Sequence, residues 1–121
     1  MSPNDQSAPR DLTPLSLAVF HILLSLGEGE RHGYALKREI SLRTGGKLKL
    51  GPGVLYGSIH KMLELGLIEE SDARPDAHLD DERRRYYRIT PYGRKVAQAE
   101  AARMRELVRL VRAKFGVPKH A

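Results

Sequence analysis

The stretch Leu50 to Gly66, LGPGVLYGSIHKMLELG, constrains this chain more than any other. Leu55, Ile59, Met62 and Leu63 recur at i, i+4, i+7 and i+8, one stripe on a helix of 3.6 residues per turn. Towards the opposite side stand Gly53, Gly57, His60, Lys61 and Glu64, flanked by Tyr56 and Ser58, so the outward surface is small, polar and partly basic. A glycine inside a helix costs about 1 kcal/mol relative to alanine. No turn is wanted at Gly57, so a close approach from outside is the expected use of its missing side chain. Pro52 suits a first-turn position, where its absent N–H is no loss, and the free amides of that turn suit a phosphate. Taken alone, the stretch is equally an amphipathic core helix with an incidental glycine; the remainder of the chain decides between the two.

A length of 121 residues suffices for one compact domain, or for a small domain with an appended helix. The excess of Lys+Arg (21) over Asp+Glu (15) favours a polyanionic partner. The absence of cysteine excludes disulfides, thiolate zinc sites and thiol chemistry. The apolar run from Leu15 to Leu26 is interrupted by Ser16, His21 and Ser25 and is too short for a membrane span. Its flanks show no cleavable-signal pattern. A soluble cytoplasmic chain with no membrane partner and no cofactor is expected.

Residues 1–11 are polar, proline-containing and without periodicity, as in a disordered tail. Thr13-Pro14 predicts a cap and first helical position. Leu15, Ala18, Val19, Ile22, Leu23 and Leu26 then trace a core-facing stripe that leaves His21 at the rim. A second helix is predicted over about Tyr34 to Thr44, with Leu36 and Ile40 inward and Gly45-Gly46 as its end. Lys47-Leu48-Lys49-Leu50 alternates like a short strand with one buried side. After the central helix, Leu67 to Ser71 and Arg83 to Ile89 read as the two strands of a hairpin around a polar loop, Asp72 to Glu82. The loop sets Asp72, Asp76, Asp80, Asp81 and Glu82 against Arg74, so phosphate should repel its tip and the arginines at its base are the better DNA contacts.

Thr90-Pro91 repeats the cap-and-proline device and opens a last helix to about Lys114. Val96, Ala99, Arg103, Met104, Leu107, Leu110, Val111 and Phe115 approximate a seam along it. Such a helix outruns a small domain, so a second copy of the chain is the expected cover. Its other face sets Arg94, Lys95, Arg103, Arg105, Arg109, Arg112 and Lys114 against Glu100 and Glu106, and solvation alone accounts for it. The fold expected is mainly α with a small β-hairpin: a winged helix-turn-helix over 12–90, a dimerisation helix over 91–115 and a C-terminal tail over 116–121.

With these elements placed, the sequence resembles the PadR family of transcriptional regulators. The resemblance is carried by Leu12-Thr13-Pro14-Leu15, by His32-Gly33-Tyr34, and by Gly51-Pro52-Gly53-Val54-Leu55-Tyr56-Gly57. It continues through Leu63-Glu64-Leu65-Gly66-Leu67-Ile68 and Arg84-Arg85-Tyr86-Tyr87-Arg88-Ile89-Thr90, then Gly93. It implies a homodimer, usually a repressor, on an inverted-repeat operator, with the third helix in the major groove and C-terminal helices forming the dimer. A single C-terminal helix is similar to the short branch of the family. The resemblance further implies Tyr56, Gly57 and Lys61 as DNA contacts of the central helix, with Tyr34 near the backbone or packed beneath it. Some members hold ligands with tryptophan at the dimer interface; this chain has none, and any small-molecule effector is left unidentified.

From the residues themselves, the amides around Gly53 with Lys49, Tyr56 and Ser58 are expected to fix phosphates. His60 and Lys61 are expected to reach base edges, and Arg83, Arg84 and Arg85 the backbone or minor groove. The partner is thus double-stranded DNA. Two other classes compete: a winged-helix module for protein partners, and an enzyme using His78, Asp80 and Asp81. The latter lie in one polar loop with no nucleophile or phosphate-binding glycine motif, and His78 is best read as a surface residue.

Overall fold

The computed structural model describes residues 6–71 and 85–119. A single 3-10 turn, Pro9–Leu12, leads into α1 (Leu17–Leu26), β1 (Arg31–His32), α2 (Gly33–Arg43) and α3 (Pro52–Glu64). Then come β2 (Ile68–Ser71), β3 (Tyr86–Ile89) and the long α4 (Pro91–Phe115). The three strands form one antiparallel sheet in the order β1-β3-β2. Between β2 and β3 the register pairs Ile68 with Ile89, Glu69 with Arg88, Glu70 with Tyr87 and Ser71 with Tyr86.

One core joins these elements. Ile22, Leu23 and Leu26 of α1 meet Leu36 and Ile40 of α2, Leu55, Ile59 and Met62 of α3, then Leu67, Ile68, Tyr87 and Val96. Burying a side chain of this size stabilises by roughly 1.5–3 kcal/mol. The three from α3 therefore outweigh the cost of about 1 kcal/mol at Gly57, and α3 holds its helix through that glycine.

Several sequence expectations need correction. Thr13-Pro14 does not open α1: Ser16 is its cap, accepting from Val19 N at 3.1 Å. The Thr13 hydroxyl donates instead to Arg10 O (2.7 Å), and Leu15 N donates to Glu100 on α4 (3.0 Å), so neither residue is available to the helix. Within the expected tail, Gln6 to Asp11 lie against the domain, because the 3-10 turn packs on α4 and Tyr92 Oη donates to Ser7 O at 2.6 Å. Residues 47–50 form no strand, although Leu48 and Leu50 do turn inward; Leu48 N donates to the Thr44 hydroxyl (3.0 Å) rather than to a ladder. The third strand is Arg31–His32, which the sequence reading missed, set against Tyr87 and Tyr86. Arg83, Arg84 and the loop containing His78, Asp80 and Asp81 lie outside the described residues.

Other expectations hold. Gly45 and Gly46 end α2 with φ of 63° and 79°, conformations that favour glycine. Thr90 caps α4, accepting from Gly93 N at 3.0 Å. His21 sits at the rim, where Arg43 donates to its carbonyl at 3.3 Å and to the buried Ser25 hydroxyl at 2.7 Å.

The first half of α4 belongs to the domain. Gly93, Val96 and Glu100 are buried, Ala99, Arg103 and Met104 are half-buried, and every residue from Arg105 onward is exposed. Val96, expected in the seam offered to a second copy, is therefore enclosed in the chain's own core. Glu100, expected on the solvated charged face, is also enclosed. Its Oε1 accepts from Arg103 Nε (2.6 Å), and its Oε2 accepts from Arg103 Nη2 (3.2 Å) and Leu15 N (3.0 Å). Arg103, placed in the same seam from sequence, is committed to this pair.

The Arg103 guanidinium holds the Glu100 carboxyl below the usual carboxylate range against the opposing effect of burial, with the Leu15 amide assisting. A folded-state pKa depressed in this way adds stability above the unfolded value of about 4.5, and that stability is lost as pH falls through the folded value. Thermal melts from pH 6 to pH 3 are expected to show a fall in wild-type Tm below about pH 4.5 that is shallower in Glu100→Gln. Parallel curves would contradict this.

Candidate nucleic-acid interface

The outward surface of α3 is as the sequence predicts: Gly53, Gly57, His60, Lys61 and Glu64 are exposed, and Tyr56 and Ser58 half-buried. A Cβ built at Gly51, Gly53 or Gly57 meets nothing within 4 Å. Among the described residues, no neighbour therefore demands glycine at these three positions. Tyr56 leans towards the start of α2, where a Cβ on Gly33 would come within 2.9 Å of its hydroxyl. The two elements are close-packed there because residue 33 lacks a side chain.

Among the described α-helices, α1, α2 and α4 each have a side-chain cap, from Ser16, His32 and Thr90, and α3 has none. Gly51 supplies its carbonyl to Leu55 N at 2.9 Å but has no side chain to accept from the first-turn amides. Those amides face outward with the positive end of the helix dipole.

Beside this terminus lies a cleft of about 380 Å³ between α2 and α3, lined by Tyr34, Lys37, Arg38, Ser41, Lys49, Leu50 and Gly51. Tyr34, Lys37, Arg38 and Ser41 stand at i, i+3, i+4 and i+7 and so share one face of α2. Tyr34, expected near a backbone or packed beneath it, is 60% exposed. Lys37, Arg38, Lys49 and Lys61 are exposed and make no ion pair among the described residues. The sequence reading used Tyr34 and Lys49 but missed Lys37, Arg38 and Ser41. Their helical spacing with Tyr34 was the available signal.

Apart from Glu64 at the far end of α3, the neighbouring carboxylates lie elsewhere. Glu39, on the other side of α2, accepts from Arg31 Nε at 3.1 Å with both oxygens. Arg31 also lies 3.9 Å from Glu28, and Arg88 pairs with Glu69 (2.7 Å) and Glu30 (3.8 Å). Arg85, the described member of the arginine triplet, is exposed with its Nε 3.8 Å from Glu70. Its charge is thus partly balanced within the sheet. The uncapped α3 terminus at Gly51 shares the cleft with Lys37, Arg38 and Lys49, and Gly53, Gly57 and Lys61 continue along the exposed side of α3, while these acidic groups are occupied at the sheet and the far side of α2.

On the outer half of α4, Leu107, Val108, Val111 and Phe115 are 47%, 49%, 51% and 82% exposed, with Leu110 beside them at 36%. No described helix is long and apolar enough to cross a membrane.

The family model of the transcriptional regulator PadR-like family matches residues 22–99. A transcriptional regulator of Mycobacterium tuberculosis, Rv3488, is 36% identical over 91 residues, which cover 75% of this chain and 78% of that protein. A solved transcriptional regulator from Clostridium thermocellum superposes with a TM-score of 0.64 at 28% identity, covering 81% of this chain and 88% of its own. A PadR family transcription regulator from Clostridium difficile R20291 gives a TM-score of 0.66, covering 84% of this chain and 100% of its own. At 19% identity, that last likeness speaks for the fold.

Proposed function

The chain belongs to the PadR-like family of transcriptional regulators, and on that premise we propose that it is a homodimeric repressor that reads an inverted-repeat operator with α3. The observation that carries the reading is the joining, on one surface, of open glycine positions on α3 with unpaired cations from α2, the 47–50 connection and α3. The glycines let the helix backbone approach the groove floor. Gly53 and Val54 amides, Lys49, Tyr56 and Ser58 hold phosphates beside it. Lys37, Arg38, Ser41 and Tyr34 take the phosphates on the near side of the groove. Lys61 and His60 reach base edges, lysine favouring the acceptors of guanine. Arg83, Arg84 and Arg85 engage the DNA backbone or the adjacent minor groove.

Residues 91–104 serve the DNA-binding domain and 105–115 the second copy, a boundary later than the one expected from sequence. Leu107, Val108, Leu110, Val111 and Phe115 form the dimer seam, with Met104 at its inner edge. A dyad through this seam sets the two α3 helices about 34 Å apart, one duplex turn. A dimer seated in this way on a promoter excludes the polymerase from it.

Gly57→Ala separates this reading from an incidental glycine. The methyl group meets open space in the free chain, so stability is expected to rise by about 0.5–1 kcal/mol. Affinity for operators selected from genomic fragments is expected to fall roughly tenfold, about 1.4 kcal/mol. Denaturant titration and fluorescence anisotropy measure the two. A stabilised variant with unchanged affinity would remove α3 from close contact with the groove. A wild-type chain without salt-dependent DNA binding would favour a protein-binding module instead.

A further inference from the structure

We propose that Glu100 is a positioning residue that fixes the angle at which α4 leaves the domain, and thereby the half-site spacing the protein accepts; the inference rests on the homodimer proposed above. Along α4, the buried positions Gly93, Val96 and Glu100 succeed one another on one face, and Glu100 is the last of them. Beyond Met104 the helix has no buried or half-buried residue. Glu100 is therefore the final enclosed anchor before the free half begins.

Its carboxylate ties α4 to the segment that precedes α1. Oε2 accepts from Leu15 N at 3.0 Å, in the segment that feeds α1, and both oxygens accept from Arg103 one turn further along α4. A fully enclosed carboxylate is a directional anchor, since displacing it strips hydrogen bonds from a group with no water to replace them. An apolar contact at the same place would slide at lower cost.

The lever is long enough to matter. From Arg105 to Phe115 the free half spans about 17 Å at about 1.5 Å per residue. A tilt of roughly 10° about Glu100, roughly 22 Å from Phe115, moves the far end by about 4 Å, close to the rise of one base pair in a duplex turn of about 34 Å. The same tilt in two copies changes the separation of two reading helices rather than the fit of either one.

The test uses the full chain and four duplexes: a selected operator, versions with one base pair added to or removed from its spacer, and a single half-site. Wild type is expected to prefer the natural spacer about tenfold over either altered one. Glu100→Gln is expected to compress that preference to about threefold or less, with half-site affinity held within about twofold. An uncompressed preference, or an equal loss on all four duplexes, would overturn the proposal. Glu100→Asp keeps the charge but draws the carboxylate back from Leu15 N; it is expected to show the same compression and decides the matter if Glu100→Gln does not fold. A wild-type chain that is monomeric by scattering at working concentrations would overturn the dimer itself, an outcome distinguishable because it needs no variant.

Discussion

Gly93→Ala is expected to lower the melting temperature by roughly 15 °C or more. A methyl group at residue 93 would overlap the carbonyl oxygen of Leu67 and come within 2.9 Å of Ile89 Cγ1. The first obstacle is backbone and cannot rotate away. Thr90 holds the two segments together: its N–H donates to Leu67 O (3.1 Å), and its hydroxyl lies 2.6 Å from Gly66 O, which it can reach as donor while accepting from Gly93 N. Relief requires α4 to lift from the turn before β2, which opens the core at Val96 and Leu67. Overpacking that moves backbone costs about 3 kcal/mol or more. Thermal melts monitored by circular dichroism measure the change. A loss under about 4 °C, some 1 kcal/mol or less, would mean that α4 docks less tightly than the structure shows.

The second large effect is on DNA. Lys37→Ala combined with Lys49→Ala removes two exposed cations of the α2–α3 cleft, neither engaged in an ion pair among the described residues. Each phosphate contact contributes about 0.9 to the slope of log K against log salt, or about a fivefold factor at 0.15 M relative to 1 M. The double variant is expected to bind roughly 30-fold more weakly at 0.15 M, with a slope shallower by about 1.8. Its preference for operator over random duplex should be unchanged, because phosphate contacts carry no sequence information. Lys61→Ala is expected to differ in kind, relaxing the preference at the base it reads. Anisotropy titrations at several salt concentrations distinguish the two. An unchanged slope in the double variant would remove the cleft from the interface.

Much of this surface was legible in the sequence because local chemistry fixes it. Gly51-Pro52 marks the start of α3, the Leu55-Ile59-Met62 spacing marks its inward face, and Thr90-Pro91 marks the start of α4. The Thr13-Pro14 pair offers the same local signal, yet α1 begins later. There the competing partners, Arg10 O and the Glu100 carboxylate, come from the packed N-terminal segment and from α4. The strand Arg31–His32 is too short to have a pattern of its own and exists because β3 presents a free edge. Glu100 was misplaced because a charged residue on a long basic helix reads as solvated. Its partner Leu15 is 85 positions away and no periodicity reveals it. Lys37 and Arg38 are hidden for a different reason: the inward pair Leu36 and Ile40 dominates the pattern of α2, and exposed cations on a helix read as solvated unless their spacing with Tyr34 and Ser41 is weighed.

Hydroxyl-radical footprinting of the wild-type chain on a selected operator tests the central claim most directly. Two protected tracts related by a dyad, with centres about one duplex turn apart, are the predicted result. A single tract, or protection that does not weaken as salt is raised, would contradict a paired reading of DNA by α3.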